Sequence, residues 1–408
     1  MDSPTPSASD ILRHFQGKSS ELLEELQEFI RFDTPSGDAA RVGAFVGHYR
    51  SLLEGSGVRC RELGGPAGPQ LFGERPGEDP PLVLVGHADT VWPAGEPERR
   101  PPEVRDGRLY GPGTYDMKSG LGLIRWALGY LQDQAVPYRR RLLVFLSADE
   151  ETGSVTARPH MDSLLPRDAT ALVPEPPCPD GSMKIARKGV GIFELRVIGR
   201  EAHAGAAPEK GISAIAEMAR LVLEVESWKD PGRGILLNVG TIEGGTASNV
   251  VPGEARSGVD VRYDTLEDGE VVEARLRGLR PEHPEARLEV SGSLAFPPLV
   301  PTPLSRFLAA RVGEIAREEL GIDVGAGSSG GGSDGSYLSA RGLTVLDGLG
   351  VDGAGAHARD EHVVVERLPL RAALFTRLLL ELGGFPERAA AASLADSPES
   401  PDSPEEKS

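Results

Sequence analysis

The chain has 408 residues, 39% of them hydrophobic and 26% charged, and its 44 Lys plus Arg against 62 Asp plus Glu give a formal charge of -18. That length allows two domains, and the acidity opposes phosphate backbones and anionic membrane surfaces, which argues against nucleic-acid or membrane partners. With two cysteines (Cys60 and Cys178), no basic and apolar leader in MDSPTPSASD and no apolar run of about 18 residues, the expectation is a cytoplasmic protein.

In chain order, ELLEELQEFIRF sets Leu22, Leu23, Leu26, Phe29 and Ile30 on one face of a predicted helix. LVLVG from Leu82 reads as a buried strand, LGLIRWALGYLQ from Leu121 as a helix, and LLVFL from Leu142 and ATALV from Ala169 as further strands. Strands spaced by helices predict an α/β domain with a mostly parallel central sheet covered on both faces. From about residue 188 the texture changes. GIFELRVIG alternates apolar and polar residues, GISAIAEMARLVLEVES is helical, GILLNVGTI and SGVDVRYD are strands, LEDGEVVEARLRGL is helical and ARLEVSG is a strand. That order predicts a ferredoxin-like α+β domain inserted into the first. The expected division is 1–187 and 300–385 for the first domain, 188–299 for the insertion and 386–408 for a disordered acidic tail rich in Pro and Ser.

Three predicted core strands end in groups able to ligate a metal: His87-Ala88-Asp89, Asp149-Glu150-Glu151 and Glu175. In open α/β sheets, ligands bind at the carboxyl ends of the strands. Asp116 adds a carboxylate in the loop GPGTYDMKSG. Taken singly, each has a plain structural explanation: His87 and Asp89 as polar strand-end residues, Asp116 as a helix N-cap, Glu150 and Glu151 as a solvated turn. Taken together they form a constellation, because adjacent carboxylates at the mouth of a core are costly unless a cation or a proton relieves them.

The ordered series GHADTVWP, GPGTYDMKSG, SADEETGS, Glu175 and GAHARDEH resembles the dinuclear-zinc aminoacylase and carboxypeptidase family, over residues 20 to 385. That family includes glutamate carboxypeptidases, acetylornithine deacetylase and succinyl-diaminopimelate desuccinylase. The resemblance implies two Zn2+ per subunit, with Co2+ or Mn2+ as substitutes. His87 and Glu175 would serve the first ion, Glu151 and His357 the second, and Asp116 would bridge both, with a cis Asp116-Met117 peptide. Asp89 would orient the His87 ring, and Glu150 would be the general base toward a bridging water. In the inserted lid, His203 would polarise the substrate carbonyl, from the partner subunit in dimeric relatives. Arg262 and Asn249 would contact the substrate, and the glycine run from Gly325 with Asp334 resembles the family's substrate loop. Cys178 and His362 are alternatives to the ligands named.

The implied function is hydrolysis of an amide bond beside a free carboxylate in a small molecule or short peptide, by a homodimer paired through the lid. The similarity leans toward glutamate carboxypeptidases. An N-acyl-amino-acid deacylase on the same site is the second reading, and a non-catalytic binder of peptides or amino-acid derivatives the third.

Overall fold

A computed structural model describes residues 5–386, so the expected tail lies outside the described residues except for Pro386. The chain divides into two compact units, one made of residues up to Ile185, Pro301–Gly327 and residues from Gly342 on, the other of Ala186–Val300 and Ser328–Arg341. Among the described residues, no helix is long and apolar enough to cross a membrane.

The first unit is built on a mixed sheet whose order is Arg59–Leu63, Gln70–Arg75, Arg140–Ser147, Glu78–His87, Thr170–Val173, Thr344–Asp347, Met183–Arg187 and Ala326–Ser329. Its centre is parallel: Glu78–His87 runs parallel to both Arg140–Ser147 and Thr170–Val173, and Thr344–Asp347 parallel to Thr170–Val173. Antiparallel strands flank that centre. Leu82, Val83, Leu84 and Val85 are all 0% exposed, so the strand faces packed side chains on both sides. The helices Ala8–Gly17, Ser19–Arg31, Ser119–Asp133 and Arg367–Leu382 pack together there, burying Leu22, Leu26, Phe29 and Ile30 of the predicted apolar face.

Arg140 is 0% exposed. Its guanidinium donates to the carbonyls of Pro80 (2.9 Å), Pro81 (3.2 Å) and Leu382 (3.0 Å), so a buried charge caps the helix Arg367–Leu382 at its negative end. Helix Ser119–Asp133 lies directly on a strand end: a Cβ on Gly120 would stand 2.0 Å from the Pro174 carbonyl oxygen.

The second unit has an antiparallel sheet in the order Leu236–Gly244, Glu254–Tyr263, Gly189–Ile198, Arg287–Phe296. With the helices Ala214–Glu226 and Leu266–Gly278, its chain order is strand, helix, strand, strand, helix, strand. Phe193, Leu195 and Val197 point into its core beside Met218, Val261 and Leu276. Ser328–Arg341 groups with this unit through bonds to its backbone. Lys188 N donates to Ser329 O (2.9 Å), and the Arg187 guanidinium donates to the carbonyls of Gly331 (3.1 Å) and Gly332 (3.2 Å).

The Gly120 contact sets a test. Gly120→Ala forces the helix off the Pro174 carbonyl and is expected to cost about 1–3 kcal/mol, read as a lower urea midpoint. Gly47→Ala, in helix Ala39–Gly55 with nothing within 4 Å, is the control and should gain up to about 1 kcal/mol. Equal midpoints for Gly120→Ala and the parent would contradict the close approach.

Candidate metal centre

The parallel register brings the chemistry to one edge. His87 is the last residue of its strand and stands opposite Ser147, while Leu84 stands opposite Leu172. Glu150-Glu151 and Glu175 therefore leave their strands beside His87, at the carboxyl edge of the sheet. Asp116 arrives from the turn Thr114–Lys118, where Asp116 and Met117 leave helical geometry and their peptide bond is cis. The turn is fastened at its end by Lys118, whose buried ammonium donates to Phe32 O at 2.7 Å and whose pKa burial lowers to about 7. His357 sits in the left-handed region, φ 62°, a conformation that costs a non-glycine residue on the order of 1–3 kcal/mol.

Five side chains meet there. His87 Nε2 lies 3.2 Å from Asp116 Oδ1 and 3.5 Å from Glu175 Oε1. On the other side, His357 Nε2 lies 3.3 Å from Asp116 Oδ2 and 3.1 Å from Glu151 Oε2. The two oxygens of Asp116 thus face different imidazoles. Ligand atoms of His87, Asp116 and Glu151 also lie within 4.8 Å of one another.

The charges need a cation or protons. His87 Nδ1 stands 2.8 Å from the Asp89 carbonyl oxygen, which fixes Nδ1 as the donor and leaves the Nε2 lone pair facing two carboxylates. Burial opposes a charged ring, yet Asp116, Asp89 and Glu175 together hold the His87 pKa well above its usual value. Asp116, then Glu151, push His357 up to about 10. Burial and the Asp116 charge push the Glu151 carboxyl up to about 7. Burial would also raise Asp116, but the two imidazoles outweigh it and hold that carboxyl low.

The donor set fits a divalent metal of the zinc type. It is all nitrogen and oxygen, and two atoms at about 2.0–2.2 Å from one tetrahedral ion stand about 3.3 Å apart, the spacing found here. Glu151 Oε1 is buried with no hydrogen-bond partner, as a ligand atom would be.

Two further carboxylates hold this cluster by accepting main-chain amides. Asp89 Oδ1 accepts from Glu150 N (3.1 Å), and Oδ2 accepts from Glu151 N (3.3 Å) and the Ser36 hydroxyl (2.7 Å). The Asp89 side chain, expected to orient His87, also stands beside that ring and helps hold its pKa high. The closer contact to the ring is the Asp89 carbonyl, the carboxylate standing 3.5 Å away because its lone pairs face the Glu150-Glu151 turn. Glu361, 1% exposed, is the second such acid; it lies in the stretch GAHARDEH, where the motif assigns it no role of its own. Its Oε1 accepts from Tyr115 N (2.9 Å) and Asp116 N (3.1 Å), and its Oε2 from Gly113 N and Trp92 Nε1 (both 2.9 Å).

The other candidates fall into place locally. Glu150 is 8% exposed beside this cluster, and its charge acts on His87. Asp149 turns away, accepting from Thr156 N at 2.6 Å. His362 lies on the strand His362–Val364 with Nδ1 on the Asp360 carbonyl (2.7 Å).

His203, Asn249, Arg262 and Asp334 belong to the second unit. His203 pairs with Val250 across a short ladder, and Ala204 N donates to Asn249 O at 2.9 Å, so His203 and Asn249 are neighbours. His203 Nδ1 accepts from Gly205 N and Ala206 N, both at 3.1 Å, which leaves Nε2 as the donor of the neutral ring. Arg262 is forked onto Asp260 by two bonds of 2.8 Å and donates to Gly330 O at 3.0 Å, joining it to the glycine run. Asp334 is 2% exposed at the start of helix Asp334–Ala340, so it has almost no surface to offer a substrate.

Comparison with known proteins agrees with this architecture. The family described as Peptidase family M20/M25/M40 matches residues 83–381. Carboxypeptidase G2 of Pseudomonas sp. is 28% identical over 382 residues, covering 90% of this chain and 92% of the relative. Succinyl-diaminopimelate desuccinylase of Methylococcus capsulatus is 31% identical over 324 residues, covering 75% and 84%. Among solved structures, human carnosine dipeptidase 1 aligns with a TM-score of 0.73 at 16% identity, over 93% of this chain and 100% of that one. Aminopeptidase PepT of Bacillus cereus gives 0.70 at 22% identity, over 90% and 99%. At these identities the two structures speak for the fold, and the family match carries the rest: the chain belongs to peptidase family M20/M25/M40, a family of metal-dependent hydrolases of the peptidase and deacylase type.

Proposed function

We propose that this chain hydrolyses an amide bond beside a free carboxylate, as a glutamate carboxypeptidase, with two zinc ions. His87, Asp116 and Glu175 would hold one ion, and His357, Asp116 and Glu151 the other. The observation that carries the reading is the pair of ligand triplets sharing Asp116, each with an imidazole nitrogen 3.1–3.5 Å from two carboxylate oxygens. Bound zinc supplies Lewis-acid polarisation of a carbonyl and lowers the pKa of a water.

The chain's own residues do the rest. Glu150 takes the proton of the attacking water and delivers it to the leaving amine. Asp89, holding the amides of Glu150 and Glu151, keeps base and ligand in one rigid turn. His203 offers Nε2–H to the oxygen that gains charge. Arg262 recognises the substrate carboxylate by exchanging Asp260 for it, a swap of one forked carboxylate for another. Asn249 lines the same region of its unit, and Asp334 acts through the glycine loop rather than by touch.

The similarity to carboxypeptidase G2 supports the carboxypeptidase reading, and that to the desuccinylases supports N-acyl-amino-acid deacylation as the second. A non-catalytic binder is disfavoured because Glu150 and every proposed ligand are retained. We also infer a cytoplasmic homodimer through the second unit. Among the described residues its strand Leu236–Gly244 lies at the edge of its sheet and exposes Leu236 (41%) and Ile242 (56%).

Glu150→Gln should keep two equivalents of zinc and lose roughly 10²–10⁴-fold in kcat, as expected of a base that is not a ligand. Parental turnover by that variant would remove Glu150 from the role. Asp116→Ala, measured by elemental analysis, should retain less than one equivalent, since both triplets lose their shared member. A substrate panel of N-acyl glutamates, dipeptides, N-acetyl-ornithine and succinyl-diaminopimelate separates the readings. Cleavage confined to the glutamyl members supports the carboxypeptidase, cleavage of the acyl members the deacylase, and silence in a zinc-replete protein contradicts both.

A further inference from the structure

Glu361 stands outside the ligand set and outside the proton path, yet it binds four N–H groups of the loops that carry the centre. The loop after His87 reaches it through the Trp92 indole, and the loop that carries Asp116 reaches it through three amides, one of them the amide of Asp116 itself. Its own backbone continues the loop of His357: Glu361 N donates to Ala358 O at 3.0 Å, and the strand His362–Val364 pairs with Arg108–Tyr110 directly before the Asp116 loop. The indole, bonded at its Nε1 edge, is also covered on a ring face. The Arg100 guanidinium stacks on Trp92 at 4.0 Å and donates to Arg359 O at 2.9 Å, closing a ring of contacts back onto the His357 loop.

We propose that Glu361 is the positioning residue that aims the Asp116 carboxylate at both metal sites, by gathering the loops of His87, Asp116 and His357 onto one buried carboxylate. The proposal rests on the two-zinc reading above.

The chemistry of the acceptor is specific. Four N–H donors converge on the Glu361 carboxylate, two on each oxygen. An ionised carboxylate is the side-chain group that accepts on both ends and donates on neither. Glutamine has the same shape, but whichever way its amide is turned, its NH2 faces two N–H donors. One pair is then broken and opposed: Tyr115 N with Asp116 N, or Gly113 N with Trp92 Nε1. Aspartate is one methylene too short to reach donors from separate loops at 2.9 Å. The requirement is therefore for a glutamate, and the conservative substitution is an informative one.

A residue that only stabilised the fold would shift the thermal midpoint and leave the metal affinity alone. A positioning residue shifts the affinity in protein that is still folded. Partners that orient metal ligands typically account for about 10- to 100-fold in metal affinity.

The experiment uses the full chain, zinc and a competing chelator, at a temperature where circular dichroism shows each variant folded. Glu361→Gln should weaken zinc binding about 10- to 100-fold. Trp92→Phe, which removes one donor and leaves the three amides, should weaken it only a few-fold and serves if the glutamine variant does not fold. Hydrogen exchange on the metal-free protein gives the second readout: the peptide covering residues 111–118 should exchange faster in Glu361→Gln, because the amides of Gly113, Tyr115 and Asp116 lose their acceptor. A lowered thermal midpoint with parental zinc affinity would reduce Glu361 to a structural role and overturn the proposal. Parental exchange of that peptide would overturn it too. If the parent protein itself binds no zinc, the two-zinc reading fails, and faster exchange in the variant would leave Glu361 as the anchor of the loop but not of a metal site.

Discussion

One carboxylate between two imidazoles sets the terms for the catalytic unit. Asp116 gives one oxygen to His87 and the other to His357, and each ring also faces a glutamate. In water such a cluster would disperse, since like charges a few ångströms apart repel and ions lose hydration on burial. Here it persists because every member is fixed by something other than its neighbours in the cluster. The strand ends supply three members, the Thr114–Lys118 turn held by Glu361 and Phe32 O the fourth, and a left-handed backbone the fifth. The protein thus holds charge where positive charge must come to meet it, and the chemistry follows from that compulsion.

Positioning is divided between two scales. The parallel sheet delivers His87, Glu151 and Glu175 to one edge, which register alone can do. Finer placement comes from buried acids that accept amides: Asp89 for the turn of Glu150 and Glu151, Glu361 for the loop of Asp116. An amide hydrogen bond to a charged acceptor is short and directional, so it fixes a backbone where apolar packing would leave it free to slide. Neither acid needs to touch a substrate for the centre to depend on it.

How much of this the sequence could tell follows from the range of each interaction. Strand runs such as LVLVG and LLVFL and the apolar face of Leu22, Leu26, Phe29 and Ile30 are local patterns, and they survive intact in the structure. His87, Asp116, Glu151, Glu175 and His357 could be singled out because each sits in a short recognisable stretch, and the structure brings their side chains together. Glu361 could not. It reads as one more acid in ARDEH, and its partners lie 245 to 269 positions away, where periodicity carries no information. Arg140 was hidden for the same reason: it looks like the basic border of a strand, and its burial is explained only by carbonyls that tertiary structure brings to it. Asp89 was legible as a neighbour of His87, but a carboxylate two residues from a histidine does not announce which amides it will also accept.

The two histidine types show how far such local bonds decide chemistry. His87 donates from Nδ1 to a carbonyl, so its Nε2 carries a lone pair and is suited to a cation. His203 does the reverse. Its Nδ1 lone pair is taken by the amides of Gly205 and Ala206, so Nε2 carries the hydrogen and is suited to an oxygen gaining negative charge. The same imidazole is thus given opposite polarity by a backbone acceptor in one unit and backbone donors in the other. The main chain around each ring thus decides which nitrogen of the neutral imidazole faces outward as acceptor and which as donor.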